Sequence, residues 1–162
     1  MKLALLFISL LFNIHADTIS NIKQRGVLNC GVSTGLPGFS SLSDKGEWHG
    51  FDVDICRAIA VSIFDDSRKV KFVPLTNQMK FNALQNQKID VLSRVTSFNY
   101  SNDQKNGLIF AGVTYFDSQG VMVYKQPNVK TLKDLNGLTV CLISGTTSER
   151  NLVRYSNKYN IS

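Results

Sequence analysis

The stretch VKFVPLTNQMKFNALQNQKIDVLSRV, residues 70–95, decides the fold. Its opening, VKFVPL, is rich in β-branched and aromatic residues and reads as a strand, and IDVLSRV at 89–95 reads as another. Between them Thr76 is placed to cap a helix, and NQMKFNALQNQ carries Met79, Phe81, Ala83 and Leu84 as its apolar residues. Two strands joined through one helix are expected to run parallel, because a parallel pair needs a long crossover.

A second unit of the same kind lies upstream. TISNIKQR at 18–25 reads as a short helix stopped by Gly26, and VLNCGVS follows as a strand entering the loop TGLPGFSS. Asp44-Lys45-Gly46 is turn chemistry. GFDVDICRAIAVSIF then becomes helical, with Phe51, Ile55, Ile59 and Ile63 predicted as the face that packs on a sheet. Strand, helix, strand, helix, strand predicts an α/β fold with a parallel sheet.

Downstream the pattern changes. A polar loop, SFNYSNDQKNG, precedes LIFAGVTYFDSQGVMVYK at 108–125, which is too long for one ordinary strand and reads as a crossing between two lobes. QPNVKTLKDLNG is a linker with a short helix after Thr131, and LTVCLIS at 138–144 reads as a new strand ending in Gly145-Thr146-Thr147. The expected divisions are a leader at 1–16, a first α/β lobe at 17–112 that is incomplete, a crossing strand at 113–123, and the start of a second lobe at 124–162.

The leader, MKLALLFISLLFNIHA, has one positive charge at Lys2, an apolar run and a small residue, Ala16, at its end. That is the pattern of an export signal, and the apolar run is short for a membrane anchor. The formal net charge of +6 falls to +5 when Lys2 leaves with it. The remaining Lys and Arg residues are scattered and lack the dense aromatic-interleaved cluster of a nucleic-acid groove, so no nucleic-acid partner is expected. Cys30, Cys56 and Cys141 show no metal-ligand spacing, and no metal or cofactor is expected. Cys30 and Cys56 are either a disulfide pair or two small buried apolar side chains; an odd third cysteine is a free thiol or one whose partner lies outside the chain.

Two readings fit the Gly145-Thr146-Thr147 turn. Strand, glycine turn and helix N-terminus form an anion site, since unpaired N–H groups and the helix dipole favour negative charge there. Alternatively Thr146 and Glu149 form a capping box that merely starts a helix. No lysine follows the glycine as in a Walker-type loop, so nucleotide hydrolysis is not expected.

In this order, LNCGVSTGLPGFSS, GEWHGFDVDICRAIA, VKFVPLTNQMKFNALQNQKIDVLSRVTSF, FAGVTYFDSQGVMV and TVCLISGTTSERNL resemble the periplasmic binding proteins of ABC importers for polar or general L-amino acids. The resemblance runs with little interruption from about residue 17 to about residue 152. Its most specific parts are Gly50-Phe51-Asp52-Val53-Asp54 and Ser144-Gly145-Thr146-Thr147. It implies a type II periplasmic-binding fold, two α/β lobes closing over a zwitterion. It also implies a monomeric periplasmic subunit that delivers an L-amino acid to a membrane permease and does no chemistry. Gly145, Thr146 and Thr147 would meet the α-carboxylate. Ser33, Phe39, Arg94, Ser97 and Asn102 would line the first-lobe side.

Two departures from that family stand out. The family usually carries an arginine where this chain has Asn102; Arg94 stands nearby, on a strand that leaves open whether it faces the cleft. Losing a charge-assisted pair costs about 1.5–3 kcal/mol, roughly ten- to a hundredfold in affinity. The chain also ends just inside the second lobe, so residues after about Leu132 are expected to pack poorly. Two competing readings follow: an enzyme of the same fold, of dehydratase or cell-wall lytic type, and an inactive fragment. For the enzyme, Asp52 and Asp54 are the nearest acids, yet at a helix start they more simply serve capping and the dipole. Phe39 and Trp48 either stack on a ligand or pack.

Overall fold

The computed structural model describes residues 17–100, 102, 108–125 and 129–161. The expected leader at 1–16 lies outside the described residues, as does most of the polar loop, 101 and 103–107. The N-terminal layer runs α1 (Thr18–Arg25), β1 (Leu28–Ser33), β2 (Ser41–Leu42), β3 (Trp48–His49), α2 (Phe51–Phe64), β4 (Val70–Leu75), α3 (Lys80–Gln85) and β5 (Val91–Leu92). Strands β4, β1 and β5 pair in that order, all parallel, with Leu28 opposite Val70 and Cys30 opposite Val91. The Asp44-Lys45-Gly46 turn closes a small antiparallel hairpin of β2 and β3, two short strands beyond the turn expected there.

Alternation along β1 divides the core. Cys30 and Val32 meet Val53 and Cys56 of α2, and Leu28 meets Ile22 of α1 and Ala60 of α2. Gly31 faces the other way, where a Cβ would lie 2.6 Å from Ile89 Cδ1 and 2.8 Å from Leu75 Cδ1. The missing side chain lets the flanking strands close over β1 toward Ala83 of α3.

The contact stripe of α2 differs from the expected one. Val53, Cys56 and Ala60 are fully buried, Ile59 and Ile63 flank them, Ile55 is half-buried and Phe51 is exposed. A line of residues four apart drifts about 40° per step around a helix of 3.6 residues per turn, so Phe51 and Ile63 cannot share one face. The line that stays under the helix holds small side chains, which permit close approach to the sheet. Cys30 and Cys56 are bonded to each other across this contact, with Cα atoms 6.1 Å apart, and Cys141 is free and exposed.

Helix α3 starts at Lys80 with Met79 as its N-cap, not at Thr76, because residues 77–79 form a turn. Strand β5 is only two residues long; Ser93 adds one more backbone bond to Gly31 before the chain leaves the sheet at Arg94. At the opposite end of β5 the Asp90 carboxylate accepts the Asn29 N–H at 2.7 Å and pairs with Arg25, tying the end of α1 to the sheet.

The expected strand at 138–144 is absent. Residues 138–143 and the long segment 108–125 join no ladder among the described residues, since a strand exists only through its partner. Ile109, Phe116, Met122 and Tyr124 are consequently almost wholly exposed. The short helix after Thr131 is a single 3-10 turn, Leu132–Leu135, capped by Thr131 and Asp134. Helix α4 (Thr147–Tyr159) buries none of its residues, in line with the thin packing expected after Leu132. No helix among the described residues is long and apolar enough to cross a membrane.

Candidate functional site

Ligands of open parallel sheets bind beyond the carboxyl ends of the strands, and β1 ends there at Ser33. The loop that follows is folded back on itself. Leu36 and Ser40 exchange backbone bonds, and the buried Ser40 hydroxyl accepts the Ser33 N–H at 3.0 Å. Phe51 and Asp52 donate their N–H groups to the carbonyls of Gly38 and Phe39, at 3.0 and 2.9 Å. Loop carbonyls therefore cap α2, the role that Asp52 and Asp54 were expected to share. Asp54 instead pairs with Arg57 at 2.9 Å, and Asp52 is buried.

The Phe39 ring meets Phe51 at 6.2 Å and Tyr115 at 5.2 Å, edge to face. Tyr115 comes from the 108–125 segment, which thereby returns over the mouth of the sheet. Trp48 packs on Phe72 in the core and is not at this mouth.

Asp52, which follows Phe51 in the chain, belongs to a group of charges that act on one another. Burial pushes the Asp52 carboxyl above the usual carboxylate range, opposed by the nearby Arg94 guanidinium, and its Oδ2 has no hydrogen-bond partner. Burial likewise lowers Arg94, against the pull of Asp52. Arg94 Nη1 donates to Asn77 Oδ1 at 2.7 Å, while its Nε is unpartnered. Lys80 donates to the Thr96 hydroxyl at 3.2 Å, and burial together with the charges of Arg94 and Arg150 brings its ammonium down to about 8.

The 97–102 loop is held by its own amides. The exposed Ser97 offers its carbonyl to Asn102 Nδ2 at 2.9 Å and to Asn99 Nδ2, and Asn102 N–H donates to Asn99 Oδ1. The Asn102 carboxamide nitrogen is thus turned into its own loop. Asn99 Nδ2 also reaches Thr147 Oγ1 at 3.2 Å, which joins this loop to the start of α4.

At that start the helix-capping reading describes the geometry. Thr146 Oγ1 accepts the Glu149 N–H at 3.3 Å and donates to the Ile143 carbonyl, while the Glu149 carboxylate accepts the Gly145 N–H at 2.7 Å. The first-turn N–H groups of Thr147 and Ser148 have no acceptor within the helix, so capping leaves donors at this end. The Thr147 hydroxyl takes a further bond from Arg150 Nη2 at 3.1 Å.

The structure therefore brings Ser33, Phe39 and Arg94 to the carboxyl end of the sheet and links the loop of Ser97 and Asn102 to Thr147. Sequence reasoning missed Asn77, Lys80, Asn99, Tyr115 and Arg150. Of these only Arg150 carries a local signal, a cation in the first turn of a helix, where the dipole disfavours it.

Lys80 makes this region pH-sensitive. Its folded-state pKa lies below the ordinary lysine value of 10.5, so between about 8 and 10.5 the unfolded chain binds more protons and stability should rise with pH. Discounted for partial solvent screening, the gain is about 1 kcal/mol. Denaturation midpoints of the native chain and of Lys80→Met should diverge in that window, to the advantage of the native chain; parallel profiles would remove Lys80 as the cause.

The family model described as bacterial extracellular solute-binding proteins, family 3, matches residues 28–159. The general L-amino acid-binding periplasmic protein AapJ of Rhizobium johnstonii is 46% identical over 90% of this chain and 43% of its own length. The glutamate/glutamine/aspartate/asparagine-binding protein BztA of Rhodobacter capsulatus is 41% identical over 91% of this chain and 44% of its own. A periplasmic binding protein from Brucella ovis, solved with glutathione bound, is 47% identical with a TM-score of 0.85, over 91% of this chain and 47% of that one. The chain thus spans less than half the length of these relatives, and its α/β layer with the start of α4 is part of a type II periplasmic-binding fold. Matched across nearly all of its described residues, the chain belongs to the bacterial extracellular solute-binding proteins, family 3.

Proposed function

We propose that the chain is the amino-terminal portion of the amino-acid-binding subunit of an ABC importer, holding an L-amino acid in the periplasm for transfer to a membrane permease. In this reading residues 17–112 are the first lobe, 113–123 the crossing segment, which joins no ladder among the described residues, and 124–162 the start of the second lobe. The hydrogen bond from Asn99 to Thr147 carries the reading, because it sets the Gly145-Thr146-Thr147 turn against the first-lobe loop, as enclosure of a small zwitterion requires. At the Gly145-Thr146-Thr147 turn the α-carboxylate is received by the first-turn N–H groups and the Thr147 hydroxyl, the Gly145 N–H and the Thr146 hydroxyl being held by Glu149 and the Ile143 carbonyl. These donors must replace water when the lobes close. Phe39 covers the ligand's apolar part, Ser33 and Ser97 offer polar contacts, and Arg94 contributes charge. Asn102 serves by holding its loop in shape.

The names of AapJ and BztA support binding over catalysis. The glutathione of the Brucella ovis protein carries an L-amino-acid end on its γ-glutamyl group, so a small peptide is a ligand of compatible chemistry. The binding subunit works as a monomer and needs no metal, cofactor or nucleic acid. A panel of L-amino acids and glutathione in thermal-shift measurements tests this. A true ligand at a hundred times its Kd should stabilise the folded state by about 2.7 kcal/mol. A chain that melts cooperatively and shifts with none of them would rule the reading out.

A further inference from the structure

Alternation along a strand leaves open where Arg94 points, and the structure gives its side chain two neighbours that decide this. Strand β5 ends at Leu92, and once the Ser93 N–H has bonded to the Gly31 carbonyl the chain leaves the sheet at Arg94. No ladder orients a side chain there. A long guanidinium that is free to swing gives up rotamer entropy each time it grips a ligand, which weakens the grip.

Asn77 supplies the first restraint. Its Oδ1 accepts Arg94 Nη1 at 2.7 Å, and it belongs to the turn at 77–79 that delays the start of α3 to Lys80. Asp52 supplies the second, from α2, through charge and not through a bond. It is only 5% exposed, and neither its Oδ2 nor the buried Nε of Arg94 has a hydrogen-bond partner among the described residues. A carboxylate is costly to bury, and capping does not call for this one, because the Phe51 and Asp52 N–H groups already reach the Gly38 and Phe39 carbonyls. Its effect falls on Arg94, whose half-buried charge it favours against desolvation. Lys80 works in the opposite direction: its ammonium lies within range of the Arg94 charge, and like charges would drive a loose guanidinium away.

We propose that Asn77 and Asp52 are positioning residues for ligand binding, which hold the Arg94 guanidinium in one orientation at the carboxyl end of the sheet so that the ligand meets a preorganised cation. The inference rests on the amino-acid-binding reading above and adds to it two residues that act through Arg94 without touching the ligand.

A double-mutant cycle tests it, with the L-amino acids and glutathione of the panel above titrated calorimetrically. Arg94→Met should weaken binding at least about tenfold, and Asn77→Ala and Asp52→Asn by roughly three- to tenfold each. In an Arg94→Met background neither second substitution should weaken binding further, since no guanidinium is left to orient. Asp52 is buried and Asn77 is not, so Asn77→Ala decides the matter if the Asp52 variant fails to fold. Equal losses from Asn77→Ala in both backgrounds would assign it a purely structural role and overturn this inference, leaving the amino-acid-binding reading in place. Native affinity in Arg94→Met, or in Asn77→Ala, would do the same. A native chain that binds none of these probes would overturn both.

Discussion

Cys56→Ala should cost the chain about 3.5 kcal/mol of stability, the loop-closure entropy of a cross-link spanning 26 residues. The bond joins β1 to α2 at the centre of the core, where both sulfurs are shielded from solvent. Among the described residues the sheet around it has three strands and the helix contacts it through small side chains, so little else there holds the two layers in register. Urea titrations with and without reductant provide the measurement. The reduced chain and the variant should share a midpoint well below that of the oxidised chain. Coincident curves for oxidised and fully reduced protein would mean that packing alone fixes α2 to β1.

Gly50→Ala should be nearly as damaging, by a separate route. Gly50 has φ of +117°, and a Cβ there would lie 2.4 Å from the Phe39 carbonyl oxygen. That oxygen is the acceptor for the Asp52 N–H, so the loop has no room to withdraw without uncapping α2. Strain of this kind costs about 1–3 kcal/mol, and a lost cap adds about 1 kcal/mol. The same displacement moves Phe39 and the Ser40 hydroxyl that positions Ser33, so ligand affinity should fall together with the melting temperature. A variant with native melting and native affinity would show that the loop re-forms elsewhere.

Much of this fold was legible in the sequence because it is local. Helix α1 with its glycine stop, and strand β4, occupy the residues expected of them, since periodicity and turn chemistry specify both. The contact stripe of α2 follows the 3.6-residue turn through Val53, Cys56 and Ala60, and so departs from the residues spaced by four. The strand expected at 138–144 failed for a different reason: its apolar residues are correct for a strand, but a ladder is a property of two segments and only one is present among the described residues. At the site, the glycine turn and Thr146 announced themselves by motif. Lys80, Asn99 and Tyr115 did not, because their positions follow from how α3, the 97–102 loop and the 108–125 segment meet in space. Asn102 could be flagged by comparison with the family pattern, yet its bond to the Ser97 carbonyl is visible only in three dimensions.

The exposed end of the 108–125 segment has a consequence for the fate of the polypeptide. Val121, Met122, Val123 and Tyr124 form an uncharged apolar run that joins no ladder among the described residues, the composition that seeds intermolecular sheets. Whatever shields this run sets how long the molecule survives in a crowded compartment, because the same residues invite chaperones, proteases and aggregates alike.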